Sequence, residues 1–149
     1  MTAVAAALAN WNGAAYLPRC LAALEAQTRP LQMIVIVDNG STDGSAEWLS
    51  GCGSRLTLFN NERNEGYCCG YNQAIGATDT PYVLALNTDV YLDPGFAEAA
   101  IRVLDAHPEA AAVTGCFYEQ ATERTIGGGF RLRRQLRMCP EGADGPERE

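Results

Sequence analysis

Two short polar segments, each directly behind an apolar run, carry the residue types that a nucleotide-diphosphate site requires. Met33-Ile34-Val35-Ile36-Val37 leads into Asp38-Asn39-Gly40-Ser41-Thr42-Asp43, and Tyr82-Val83-Leu84-Ala85-Leu86 leads into Asn87-Thr88-Asp89. Buried parallel strands read as short, continuous aliphatic runs, and ligands of open α/β sheets sit just beyond the carboxyl ends of the strands. Carboxylates at two such ends can converge on one crevice. A hard divalent cation, Mg²⁺ or Mn²⁺, that holds a diphosphate takes oxygen ligands of this kind. A plainer reading stands beside this one: Asn, Gly, Ser, Thr and Asp are also the residues of well-made turns and helix caps, so residues 38–43 alone have the composition of a turn.

The elements that must position these residues follow from the hydrophobic pattern. Residues 4–9 form an apolar run that ends at Asn10-Trp11-Asn12-Gly13, and residues 16–27 place Leu17, Leu21 and Leu24 at helical spacing. Pro30 breaks the chain before the second strand, and residues 45–49 form a short helix behind the acidic loop. A third run at 56–59 ends in the polar cluster 60–66, and 67–77 continues as a helix despite internal glycines. The fourth run delivers Asn87-Thr88-Asp89. Pro94 then opens a helix with Phe96, Ala100, Ile101 and Leu104 on one face, closed by His107-Pro108. Residues 111–114 are a further strand candidate. Successive strand-to-helix units with short loops predict an α/β, doubly wound, mostly parallel sheet flanked by helices. The expected domain runs over 1–137, and 138–149, without an apolar anchor, is expected to be a disordered tail.

Composition narrows the chemistry. A chain of 149 residues that is 47% apolar has the size and content of one core-forming domain. Eighteen carboxylates against 11 basic residues argue against a broad grip on nucleic acid. All the basic residues are arginines, so neither a Walker-type phosphate-binding lysine nor a Schiff-base lysine is available. Gly51-Cys52-Gly53 is the nearest approach to a dinucleotide fingerprint, but Leu56 occupies the third glycine position and the stretch precedes a strand. Cys20, Cys52, Cys68, Cys69, Cys116 and Cys139 have no C-x-x-C spacing, which disfavours zinc and a disulfide framework. Residues 4–9 are too short for a signal peptide and lack a basic leader, so a cytoplasmic setting is expected. His107 reads as a surface residue at a helix end, and Arg131, Arg133, Arg134 and Arg137 as a solvated basic face.

The order of these motifs resembles a family, the inverting glycosyltransferases of the GT-A group known as family 2, and especially its rhamnosyltransferase-like members. The resemblance covers about residues 4–113. It is carried by Asn10-Trp11-Asn12-Gly13, by Gln27-Thr28, by the stretch from Val37 through Ser45, by Asn64-Glu65-Gly66-Tyr67 with Asn72, and by Leu86-Asn87-Thr88-Asp89 followed by Asp93-Pro94-Gly95-Phe96. It implies a GT-A (Rossmann-like) fold cut off after its donor-binding half. Ala9 and Trp11 would then lie beside the nucleotide base, with Trp11 as an aromatic wall. Asp38 and Asn39 would meet the base edge; an amide both donates and accepts, which leaves the choice between uracil and thymine open. Gly66 and its loop would line the donor pocket, and Asn87, Thr88 and Asp89 would form the diphosphate end. Asp89 matches the last aspartate of the family's D-x-D motif, the expected ligand of Mg²⁺ or Mn²⁺, while Asn87 replaces the first with a neutral, weaker ligand.

The implied function is metal-assisted, inverting transfer of a sugar from a UDP- or dTDP-sugar donor to a saccharide or lipid-linked acceptor, in cell-wall or polysaccharide synthesis. A nucleotide-sugar binding module or inactive remnant is the alternative. Inverting transfer needs a general base on the acceptor hydroxyl. In relatives that carboxylate follows the D-x-D strand at a distance, and neither Glu119 nor Glu123 stands in the matching context, so no catalytic base is assigned. The resemblance leaves open peripheral association with the inner face of the membrane, a homo-oligomer, and a complementing C-terminal segment.

Overall fold

The computed structural model describes residues 2–119 and 124–128. Residues 1–113 make one compact unit, and a second unit begins at Thr114. In the first unit four strands, β1 (Val4–Asn10), β2 (Met33–Asp38), β3 (Thr57–Asn60) and β4 (Tyr82–Ala85), form one sheet in the order β3-β2-β1-β4. Every pairing in it is parallel. The helices α1 (Leu17–Glu25), α2 (Ser45–Ser50), α3 (Tyr67–Gly76) and α4 (Phe96–Ala106) alternate with and follow the strands. The expected α/β parallel sheet flanked by helices is therefore the fold found. All four strands point the same way, so the segments that follow them, 11–16, 39–44, 61–66 and 86–92, gather along one edge.

Strand alternation divides the core into two. Ala6 and Leu8 of β1 and Ile34 and Ile36 of β2 face one side, where they meet Leu17, Cys20, Leu21 and Leu24 of α1 and Leu49 of α2. Ala7, Val35 and Val37 face the other side, against Ala74 of α3. Parallel register places like with like, Ala6 opposite Ile34 and Leu8 opposite Ile36 on one face, Ala7 opposite Val35 on the other. The alanine-rich β1 is wholly buried from Val4 to Leu8, and its small side chains let helices approach the sheet from both sides. Leu8, Leu17, Leu24 and Ile36 are all completely covered, each worth about 1.5–3 kcal/mol against exposure.

The buried Gln27 ties α1 to α4. Its Nε2 donates to the Ala23 carbonyl at 3.1 Å and to the Asp93 carbonyl at 2.8 Å, and its Oε1 accepts from the Ala97 N–H at 2.9 Å. The last bond satisfies a donor in the first turn of α4, where no side chain of the helix's own cap does so. One amide thus sets both where the chain leaves the 86–95 loop and where α4 starts.

One strand expectation is corrected. Residues 111–114 are irregular, and the strands lie later, β5 (Cys116–Glu119) and β6 (Arg124–Gly128), paired antiparallel with a register irregularity between Phe117 and Tyr118. The run Ala110-Ala111-Ala112 is apolar but has weak strand preference, and residues 109–114 are exposed, with no core to hold a strand. The boundary expected between 137 and 138, and the tail 138–149, lie outside the described residues. Among the described residues no helix is long and apolar enough to cross a membrane.

Candidate functional site

The carboxyl edge of the sheet is knitted by side chains from three strand ends. Asn10, the last residue of β1, is buried, and its Nδ2 lies 2.7 Å from Asp38 Oδ1, 3.0 Å from Ser45 Oγ and 3.2 Å from Ser41 Oγ. Asp38, the last residue of β2, is also buried, and its second oxygen accepts from the Ser41 N–H at 3.0 Å. Asn12, held at φ +53°, accepts from the Thr42 N–H at 2.8 Å and donates its own N–H to Ser41 Oγ at 2.9 Å. Asp43 closes the seam by accepting from the Ala14 N–H at 2.8 Å and from the Ser45 hydroxyl. These bonds hold the Asp43 carboxyl below its ordinary pKa, the Ser45 hydroxyl contributing most. The turn composition of 38–43 is thus a turn, and one that is bonded throughout to the loop after β1.

Asn39 organises the neighbouring loop. Its Nδ2 donates to Asn64 Oδ1 at 3.0 Å and to the Gly66 carbonyl at 3.1 Å, while its Oδ1 accepts from Asn61 Nδ2 at 2.9 Å and from the Glu65 N–H at 3.2 Å. An amide has two donor hydrogens and two acceptor lone pairs, so all four are spent. Asn39 is buried and forms part of a small crevice of about 110 Å³ together with Ala9, Trp11, Asn64 and Tyr67. Gly40, at φ +73°, comes so close that a Cβ there would stand 2.6 Å from the Arg63 Cα. Gly66, at φ +90°, turns the loop into α3, in a backbone region that side chains rarely enter. Gly70 lets the first turns of α3 lie directly on the strand end, since its Cβ would be 3.0 Å from the Ala9 Cβ.

A larger cleft of about 270 Å³ opens beside this crevice. It is lined by Ala9, Trp11, Asn12, Gly13 and Tyr16 from the end of β1 and the loop behind it, by Tyr67 of α3, and by Asn87, Thr88 and Asp89 behind β4. Glycine is needed at position 13: a Cβ would fall 2.2 Å from Asn10 Oδ1 and 3.0 Å from Thr88 Oγ1. Asn10 Oδ1 is itself buried with no hydrogen-bond partner among the described residues. Trp11, Tyr16 and Tyr67 are 59%, 47% and 64% exposed, an unusual display of aromatic surface around one opening. Asn87 Oδ1 accepts from the Tyr67 and Tyr71 hydroxyls, both at 3.0 Å. Beneath them the buried Cys20 thiol lies 3.9 Å from the Asn87 carbonyl and is pushed up to about 11, first by burial and then by the Asp89 charge, so it stays a thiol.

Of the residues expected from the sequence, Ala9, Trp11, Asn87, Thr88 and Asp89 share the larger cleft, and Asn39 lies in the adjoining crevice. Asp38 sits beneath, its oxygens turned to Asn10 and Ser41, and Gly66 shapes the loop. Tyr16, Tyr67 and Tyr71 carry roles that the sequence reading did not assign. A signal existed for the last two, because Tyr67 and Tyr71 are four apart at the start of a helix that follows a polar loop. Among the described residues no three His, Cys, Asp or Glu side chains are grouped as a metal cage. The donor set nonetheless suits a cation shared with a ligand, for such an ion takes one or two carboxylates and completes its shell with phosphate oxygens and water. The exposed Asp89, which lines the cleft, would supply that one carboxylate.

Comparison with known proteins agrees with this architecture. The model of Glycosyl transferase family 2 matches residues 6–142. EpsH of Bacillus subtilis (strain 168), assigned as a glycosyltransferase, is 29% identical over 103 residues, which are 67% of this chain and 30% of EpsH. The structure of S. aureus TarS 1-349 in complex with UDP superposes with a TM-score of 0.64 at 22% identity, covering 71% of this chain and 33% of TarS 1-349. The same TarS segment in complex with UDP-GlcNAc gives 0.63 at 23% identity, covering 71% and 32%. The chain spans about a third of the length of these relatives. Motifs from four strand ends meet at one edge of a parallel sheet, all within the span that the family's model matches, and the chain belongs to glycosyl transferase family 2.

Proposed function

We propose that this chain binds a nucleotide-diphosphate sugar, UDP- or dTDP-linked, and acts in the inverting transfer of that sugar to a saccharide or lipid-linked acceptor. The observation that carries the reading is the convergence of Trp11, Tyr67 and Asp89 on a single cleft at the carboxyl edge of the sheet. The base lodges in the smaller crevice beside Trp11 and Tyr67, where aromatic faces stack on it and where Asn39 fixes the wall. The diphosphate extends to Asn87, Thr88 and Asp89. Asp89 would hold Mg²⁺ or Mn²⁺, which when bound would offset the charge of the departing diphosphate. The UDP and UDP-GlcNAc complexes of TarS support a nucleotide-sugar ligand for this fold.

The second reading, a donor-binding module without transfer, is favoured by one observation: among the described residues that line the cleft, Asp89 is the single carboxylate. With Asp89 given to the cation, no second carboxylate among those residues would be left to take the acceptor proton. Thermal shift with UDP, dTDP, GDP and ADP, each with and without Mn²⁺, separates nucleotide binding from its absence, because a ligand that binds only the folded chain raises the melting temperature. UDP or dTDP is expected to raise it, and Asp89→Ala to remove the Mn²⁺-dependent part. No shift with any nucleotide would sink both readings. Release of free UDP from UDP-sugar, with and without a saccharide acceptor, then tells the transferase from the module.

A further inference from the structure

Asn87 and Asp89 stand two residues apart, and both are exposed and line the cleft. They are not equally free. The carboxamide oxygen of Asn87 has two lone pairs, and two phenols take them: Tyr67 Oη at 3.0 Å and Tyr71 Oη at 3.0 Å. The two rings are neighbours on α3, one turn apart, with centroids 4.6 Å apart and planes tilted by 44°. Tyr71 is 7% exposed and locked in the core, and burial raises its phenol above the ordinary range, so it remains a donor at any working pH. With the oxygen turned to α3, the Asn87 N–H₂ has no partner among the described residues, and a donor of this kind suits an anionic oxygen.

We propose that Tyr67 and Tyr71 are positioning residues that occupy the Asn87 oxygen and so withhold it from a divalent cation, leaving Asp89 as the only side-chain ligand of the pair. The inference rests on the reading of the cleft as a nucleotide-diphosphate site. Its consequence is a site whose grip on the diphosphate is divided: N–H donation from Asn87 needs no metal, and the metal-dependent share comes through one carboxylate.

The test is calorimetric titration of UDP into the native chain and into Tyr67→Phe, Tyr71→Phe, the double variant and Asp89→Ala, each in Mn²⁺ and in EDTA. The quantity read is the ratio of affinity in Mn²⁺ to affinity in EDTA. Freeing the Asn87 oxygen in the double variant offers the cation one further oxygen ligand, which is expected to raise the ratio by about 10-fold. Tyr67→Phe, at an exposed ring, should raise it in part without threatening the fold. Simple loosening of the helix would weaken UDP equally in both buffers and leave the ratio flat. A flat ratio in Tyr67→Phe and in the double variant, with the ratio in Asp89→Ala reduced to one, overturns the inference and leaves the nucleotide reading standing. Native protein that binds UDP in neither buffer overturns both.

Discussion

The single side chain on which most of the candidate site depends is Asn39. It makes four hydrogen bonds to residues 61, 64, 65 and 66 from a buried position, and no isostere without both donor and acceptor can replace them. Asn39→Leu removes all four bonds, each worth about 0.5–1.5 kcal/mol net, while the partners at 64–66 are exposed and can turn to water. The variant should unfold at lower urea, with about 2–3 kcal/mol lost, and should bind UDP more weakly through a slackened loop. Urea melts that superpose on the native curve would show that the bonds do not form. Asp43 gives a pH-dependent counterpart. Its folded pKa is depressed, so the stability it contributes is present above the unfolded value of about 3.9 and disappears as pH falls through the folded one. Native chain should therefore exceed Asp43→Asn in melting temperature at pH 7, with the gap closing below about pH 4. A gap that stays constant from pH 7 to pH 3 would mean that the charge on Asp43 does nothing for the seam.

Among the elements, α3 links the fold to the site. Its Ala74 packs under Ala7, Val35 and Val37, its Gly70 touches the end of β1, and its Tyr67 and Tyr71 reach across to Asn87. A helix that carries two glycines and vicinal cysteines is a poor helix by propensity alone, and contact with the sheet holds it. Gly70→Val forces a branched side chain against the Ala9 Cβ and Asn39 Nδ2, 3.0 and 3.5 Å from where its own Cβ would stand. Overpacking of this kind costs about 1–3 kcal/mol. It should also displace Tyr67 from the cleft, so UDP affinity should fall even where the chain remains folded. Intact affinity in a chain destabilised by that amount would separate the helix from the site.

For the whole molecule the decisive quantity is the difference between binding and turnover. The cleft gathers three exposed aromatic side chains, Asn87, Thr88 and one carboxylate, which on the proposed reading serve binding, while a general base contributes about 10²–10⁴-fold to a transfer rate. The chain should thus bind UDP-sugar in Mn²⁺ yet release UDP at a rate lower than ordinary enzyme turnover by about that factor. Transfer to a saccharide at ordinary enzyme rates would place a base within these residues, and Glu119 and Glu123 would be the first to replace.

How far the chain speaks for itself differs between fold and site. The central strands were legible because a buried parallel strand must be apolar on both faces, and 4–9 and 33–37 are such runs; 82–86 reads the same although β4, at the sheet edge, is only half-buried, and residues 111–114 misled because an apolar run without a core partner also looks the same. Placement of Trp11 and Asn87-Thr88-Asp89 at the sheet edge followed from their position behind those runs, since a parallel sheet brings all its carboxyl ends together. What each polar group does there could not be read in the same way. Asp38 and Asn39 have the composition of ligands, and only the fold decided that Asp38 bonds Asn10 and Ser41 and that Asn39 bonds the 61–66 loop. The hydrogen bonds from Tyr67 and Tyr71 to Asn87, 20 and 16 residues away, were likewise a tertiary outcome. The physical reason is range: burial is written residue by residue in hydrophobicity, whereas a hydrogen bond belongs to two residues that only folding brings within 3 Å of each other.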